Sequence, residues 1–231
     1  MAVTEAERIR AVYQERDRRG KAGLYAWHRQ EVLLNQYRLS AAAARLLGRA
    51  GFHQWAEKDV LDVGCGSGTW LTRVIEWGGD PGRLHGTDVL HDRIEQARRR
   101  APHVDWRVNE DALPYADESM DLVSAHTVFS SILDRDVRTA LASEMLRVTR
   151  PSGWLLVYDF RVSHPGNPDT TAIRTTEIRR LFPSLPLYTQ SLTLAPPIAR
   201  RLATHLPAAA LLLEAGLPCL RTHRVYVLKK R

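Results

Sequence analysis

The chain has 231 residues, 44% of them hydrophobic and 26% charged, with a formal charge of +7 at neutral pH. Such a length and composition suit one sizeable folded core and exclude a largely disordered, fibrous or low-complexity chain. The basic residues fall in short scattered groups such as Arg98 to Arg100, with no interleaved aromatic stripe, so they read as solvated surface rather than a nucleic-acid face.

Thr4 and Glu7 have capping-box spacing, and Ile9, Val12 and Tyr13 recur at helical intervals, which predicts a helix over residues 4–18. Gly20 and Gly23 interrupt it, and a second helix is predicted over residues 27–47, closed by Gly48 and Gly51. From Asp59 onward, short apolar runs alternate with amphipathic stretches. Strands are predicted at residues 60–63, 84–89, 104–108, 120–125 and 154–159, with helices at 69–77, 93–100 and 136–147 between them. Strands separated by helices imply a Rossmann-like, doubly wound α/β fold whose sheet is mostly parallel.

Beyond Phe160 a helix is predicted over residues 171–181, a strand over 187–194, helices over 197–205 and 207–215, and a last strand over 222–228. Pro197 and Pro207 suit first helical positions. The last two strands form an antiparallel pair at one edge. The expected organisation is one domain over residues 1–231: N-terminal lid helices (1–57), a ligand-binding core (58–160) and an acceptor-side region with the edge strands (161–231). Only Cys65 and Cys219 are cysteines, and the N-terminus is too charged for a signal peptide. No apolar run approaches a membrane span, so the expected location is the cytoplasm.

Residues 60–70 read Val-Leu-Asp-Val-Gly-Cys-Gly-Ser-Gly-Thr-Trp. A strand that runs through three glycines into a helix lets a ligand approach the backbone closely, and the free N–H groups at the helix start favour a carboxylate or phosphate. A dinucleotide fingerprint would place its third glycine where Thr69 stands, and a P-loop would need a Lys that is missing. Asp88 follows the last glycine by about 20 residues, the separation at which an acid accepts hydrogen bonds from ribose hydroxyls.

The pattern D-x-G-x-G-x-G at Asp62 to Gly68 resembles the first motif of class I S-adenosylmethionine-dependent methyltransferases, and most closely their small-molecule branch. Further segments resemble that family in the same order: Gly86-Thr87-Asp88, Asp111-Ala112-Leu113-Pro114 with Asp121-Leu122-Val123, and Glu144 to Val148 followed by Pro151-Ser152-Gly153. The resemblance covers about residues 58–160. It implies that Asp62, Gly64, Cys65, Gly66 and Gly68 surround the methionine end of S-adenosylmethionine, and that Asp88 holds the ribose. It implies further that Val89 or Leu90 flanks the adenine, with Asp111 and Ala112 at its edge. Arg93 reads equally as a cofactor neighbour or a surface charge. S-adenosylhomocysteine is the implied product.

Ligands in such sheets sit beyond the carboxyl ends of the strands. That places His126, Thr127 and Phe129 after the fourth strand, and Asp159, Phe160, Arg161 and His164 after the fifth, near an acceptor. His126 is the first candidate for a general base, or it contributes to the cofactor site; Asp159 and His164 follow as candidate bases. Phe129 and Arg161, with Tyr25, Trp27 and His28 ahead of the core, are candidate acceptor contacts. No His or Cys pair has zinc spacing, so no metal is expected. The expected reaction is methylation of a small-molecule acceptor at oxygen, as in natural-product or glycan modification, by a monomer or homodimer. An RNA or protein methyltransferase and a non-catalytic cofactor binder remain alternatives, and the chain lacks the Pro-Pro-aromatic motif of amino-methylating nucleic-acid enzymes after its fourth strand.

Overall fold

Strand β1 (Val60–Val63) is buried at every position, as befits a strand covered on both faces. The computed structural model describes residues 3–20, 23, 28–110, 112–163, 166–202 and 206–231. In it β1 lies between β2 (Leu84–Asp88) and β4 (Met120–His126), parallel to both. Strand β3 (Asp105–Val108) extends the sheet beyond β2, and β5 (Thr149–Phe160) beyond β4, again in parallel. Strand β7 (Arg221–Lys229) then runs antiparallel to β5, and β6 (Leu187–Leu194) closes the edge antiparallel to β7. The strand order is β3-β2-β1-β4-β5-β7-β6. The order reverses between β1 and β4, so the loops leaving their carboxyl ends part there and open a crevice.

Alternation along β5 divides the core. Leu156 and Tyr158 face a cluster with α2 (Gln30–Arg49), α3 (Thr69–Glu76) and α4 (His91–Arg100), whereas Leu155 and Val157 face α5 (Arg135–Val148) and α6 (Thr175–Leu181). The antiparallel edge carries α7 (Pro196–Leu202) and α8 (Pro207–Gly216), whose Ala199 and Ala210 pack with Leu194 of β6. The Trp154 indole N–H donates to the Ala50 carbonyl at 3.0 Å and ties the end of α2 to the sheet. Helix α1 (Glu5–Arg18) starts with the expected capping box at Thr4 and Glu7, yet none of its residues is buried.

The doubly wound sheet and the antiparallel edge pair are as expected, but several boundaries differ. Helix α6 starts at Thr175, not at residue 171, because Thr171 N–H donates to Ser130 and Ile173 N–H to Phe160, which draws this stretch out along the core. Strand β5 begins at Thr149 and passes through Ser152 at φ 61 before Trp154. Strand β4 runs one residue further, to His126, which pairs with Tyr158. Helix α2 starts at Gln30 rather than at residue 27.

Candidate cofactor and acceptor site

The three glycines after β1 turn the chain with positive φ, but for different reasons. A Cβ on Gly64 would stand 2.4 Å from the Val128 side chain, and one on Gly68 would stand 2.7 Å from the Trp106 ring. Both positions are closed by the protein's own packing. Gly66 (φ 53) has nothing within 4 Å of a Cβ position, so the open side of the loop is there. Its N–H donates to Asp88 Oδ2 at 2.8 Å, and the other oxygen of Asp88 takes the Leu90 N–H at 2.9 Å. Burial raises the Asp88 carboxyl above the usual carboxylate range, opposed by those two N–H groups and by Arg93. An open glycine at a helix start, with an acid beside it, fits a small zwitterion joined to a hydroxyl-bearing ring.

Asp62, at the carboxyl end of β1, is 1% exposed. Burial pushes its carboxyl up to about 8; the Ser124 hydroxyl, donating at 2.7 Å, opposes the rise, and the charge of Asp88 adds to it. His126 Nε2 lies 4.0 Å from Asp62 Oδ1. Its ring is enclosed by Trp70, at a centroid distance of 4.5 Å, and Tyr158, at 6.2 Å, and burial pushes it down to about 3, so the imidazole is neutral at physiological pH. The next residue, Thr127, adopts φ 56, a strained conformation for a β-branched side chain and one that clusters at functional sites.

Helix α1 lies across the carboxyl ends of the strands and is held there by polar contacts. Asp17 pairs with Arg93 of α4 at 2.9 Å, Arg10 with Glu110 after β3, and Arg16 with Asp169 after β5 at 3.9 Å. After β4, Arg8 donates to the Ser131 carbonyl and Leu133 N–H donates to Glu5 at 2.5 Å. This is a strap over the crevice rather than a packed helix.

The crevice thus gathers Asp62, Gly66, Asp88, Leu90 and His126. Other expected site residues are turned elsewhere. Cys65 points its thiol inward, where a Cβ on Gly86 would meet it at 3.1 Å, and burial raises it far above the thiolate range. Arg93 is occupied by Asp17. Phe129 is fully buried edge-on to Phe182 at 6.0 Å, so its ring belongs to the core. Asp159 is fully buried and pushed up to about 6, yet its two oxygens take the N–H groups of Ser130 at 3.1 Å and Phe160 at 2.8 Å, which commits it to the loop after β4. Arg161 donates to the Pro218 carbonyl at 3.0 Å. His28 and Ala112 are exposed, and Val89 is half-buried. Tyr25, Trp27, Asp111 and His164 lie outside the described residues.

Sequence reasoning missed three residues. Trp70 closes the motif but carried no role, Tyr158 sits inside a predicted strand, and His223 stacks on Tyr158 at 5.0 Å and 13°. His223 was reachable from period-two alternation, which puts it on one face of β7 with Val225 and Val227. Among the described residues, no group of three or more His, Cys, Asp or Glu is placed to hold a metal ion, and no helix is long and apolar enough to cross a membrane.

Residues 60–153 match the model of a family described as a methyltransferase domain. Over 127 residues the chain is 34% identical to the demethylmenaquinone methyltransferase of Renibacterium salmoninarum, covering 54% of this chain and 50% of that protein. It is 32% identical over 143 residues to phthiotriol/phenolphthiotriol dimycocerosates methyltransferase 1 of Mycobacterium ulcerans, covering 57% and 45%. The chain therefore spans about half the length of these curated relatives. The crystal structure of an S-adenosylmethionine-dependent methyltransferase from Mesorhizobium loti superposes with a TM-score of 0.58 at 14% identity, over 79% of this chain and 95% of that one, a likeness of fold.

Proposed function

We propose that the chain is a class I S-adenosylmethionine-dependent methyltransferase that transfers the methyl group of that cofactor to an oxygen of a small-molecule acceptor. The reading is supported by the match of residues 60–153 to a methyltransferase-domain model and by the relatives named above. The observation that carries the reading is the open side of Gly66 beside Asp88, below a neutral His126. Bound there, S-adenosylmethionine supplies an already activated methyl group, so the protein's task is to position the nucleophile and exclude water.

Asp62, Gly66 and the first N–H groups of α3 hold the methionine end, and Asp88 accepts from the ribose. Helix α1 keeps water from the crevice. His126 is neutral and, among the described residues, its Nε2 has no hydrogen-bond partner, so its lone pair is open to the hydroxyl proton of an acceptor. The acceptor contacts put forward are the residues around His126. The protein acts in the cytoplasm, alone or as a homodimer.

The test is incubation with S-adenosylmethionine and a panel of hydroxylated aromatic and quinol acceptors, reading S-adenosylhomocysteine and the position of the new methyl group. Acceptor-dependent by-product with the methyl on oxygen is expected. Tight cofactor binding without acceptor-dependent by-product would leave a binding protein. A methyl on a ring carbon would support the second reading, which is favoured by relatives named as quinone methyltransferases, one of them a C-methyltransferase at 30% identity over 120 residues.

A further inference from the structure

Among the described residues, two buried nitrogens on touching rings have no partner. Trp70 Nε1 and His126 Nε2 are closed off from solvent and make no hydrogen bond, and their ring centroids are 4.5 Å apart. Asp62, whose Oδ1 lies 4.0 Å from His126 Nε2, already takes the Ser124 hydroxyl. Leaving an indole N–H and an imidazole nitrogen unpaired in the interior is costly, so a group that pairs both is favoured there.

Trp70 also begins a stripe on α3. Trp70, Arg73 and Trp77 stand at i, i+3 and i+7, one side of the helix. Arg73 and Trp77 wall a groove of about 350 Å³ whose other wall is α2, with Leu33, Tyr37, Ala41 and Ala44. Trp77, in the wall of the groove, meets Trp70 edge-on at 5.5 Å, and Trp70 in turn meets His126. Leu33 and Tyr37 are 43% and 69% exposed on this face, an arrangement that leaves apolar surface in water until something covers it.

We propose that the acceptor lies with its apolar body in the groove between α2 and α3 and its hydroxyl between Trp70 Nε1 and His126 Nε2. The inference rests on the oxygen-acceptor reading given above and specifies its substrate class: an amphipathic phenol or quinol. Donor and acceptor chemistry selects that class. The indole only donates, whereas neutral imidazole presents a lone pair in one tautomer. A hydroxyl accepts from the first and donates to the second; an ammonium cannot accept from the indole, and a carboxylate cannot donate to the imidazole. In the transfer, the oxygen–methyl bond forms as the carbon–sulfur bond breaks, the sulfur keeps the bonding pair, and the hydroxyl proton passes to His126 Nε2.

The test is nuclear magnetic resonance of the full chain with ¹⁵N-labelled tryptophan, saturated with S-adenosylhomocysteine, and titrated with hydroquinone, 1,4-dimethoxybenzene or octylhydroquinone. The Trp70 indole signal is identified by its loss in Trp70→Phe. Hydroquinone is expected to shift that signal and to bind at least fivefold more tightly than the dimethyl ether, with Trp70→Phe erasing the difference while S-adenosylhomocysteine affinity stays within twofold. Octylhydroquinone is expected to gain at least tenfold over hydroquinone, and Ala44→Trp, at an exposed groove position, to remove that gain. Equal binding of the two small probes, or no saturable shift, would overturn the proposal. So would a shift of the Trp70 signal by S-adenosylhomocysteine alone, which would assign the nitrogen to the cofactor. Methyl recovered on carbon with the Trp70 shifts intact would fail the oxygen reading and retain the berth.

Discussion

Asp88 accepts a hydrogen bond from the N–H of Gly66 at 2.8 Å, tying the end of β2 to the middle of the loop after β1. One carboxylate therefore shapes the glycine turn and stands where ribose hydroxyls are expected. Asp88→Ala should weaken S-adenosylhomocysteine binding by tenfold or more, since a hydrogen bond to a charged group is worth about 1.5–3 kcal/mol. Asp88→Asn, which keeps one acceptor oxygen, should recover part of the loss. Calorimetry on both variants checks this, and unchanged affinity in Asp88→Ala would remove Asp88 from the cofactor site.

Gly66 and Gly68 should separate binding from stability. Gly68→Ala drives a methyl group into Trp106 and Ala97, and adds the cost of φ 79, so its melting temperature should fall by several degrees. Gly66→Ala faces open space and carries only the backbone cost of φ 53, about 1 kcal/mol. Its melting temperature should fall less and its cofactor affinity more. Thermal unfolding paired with calorimetry reads both.

The strap formed by α1 is held by ion pairs and hydrogen bonds with no buried side chain beneath it. Partly exposed pairs of this kind are screened by salt. Raising ionic strength from about 0.05 to 0.5 M should speed amide exchange across Glu5–Arg18 severalfold while β1 is unaffected. Asp17→Asn should produce the same acceleration at low salt. Exchange that is insensitive to both would mean that the helix is held by something other than these charges.

Burial pushes His126 and His223 down to about 3, so the folded chain binds fewer protons than the unfolded chain between about pH 6.5 and 3. Stability is then constant above pH 6.5 with respect to these rings and is lost as pH falls through that window. At pH 5 the loss is about 2 kcal/mol for each ring. Buried Asp62 and Asp159, raised to about 8 and about 6, act in the opposite direction over the same window, so the histidine contribution is read as a difference. Between about pH 7.5 and 5 the stability of His223→Gln should change by about 2 kcal/mol less in the destabilising direction than that of the unsubstituted chain, measured by urea unfolding. The same pH dependence in both proteins would show that His223 titrates near its ordinary value.

The core from β1 to β5 was legible because its signals are local. Each strand of a covered sheet needs an apolar run, each crossover helix an amphipathic stretch, and the turn at Gly64, Gly66 and Gly68 a run of residues that tolerate positive φ. Even the antiparallel edge pair could be read, from a predicted strand at each end of the proline-punctuated segment.

What the sequence by itself determined was the sheet, the cofactor turn and the acid that accompanies it, because all three are written in short spacings along the chain. Tertiary structure alone decided which side chains face the crevice. It turned Phe129 and Cys65 into the core, bound Asp159 to the loop after β4, engaged Arg93 with α1, and set Trp70 from one helix against His126 from a strand 56 positions away. A side chain's direction at a strand end depends on the register and on the helix that covers it, and both are settled by contacts between segments far apart in sequence.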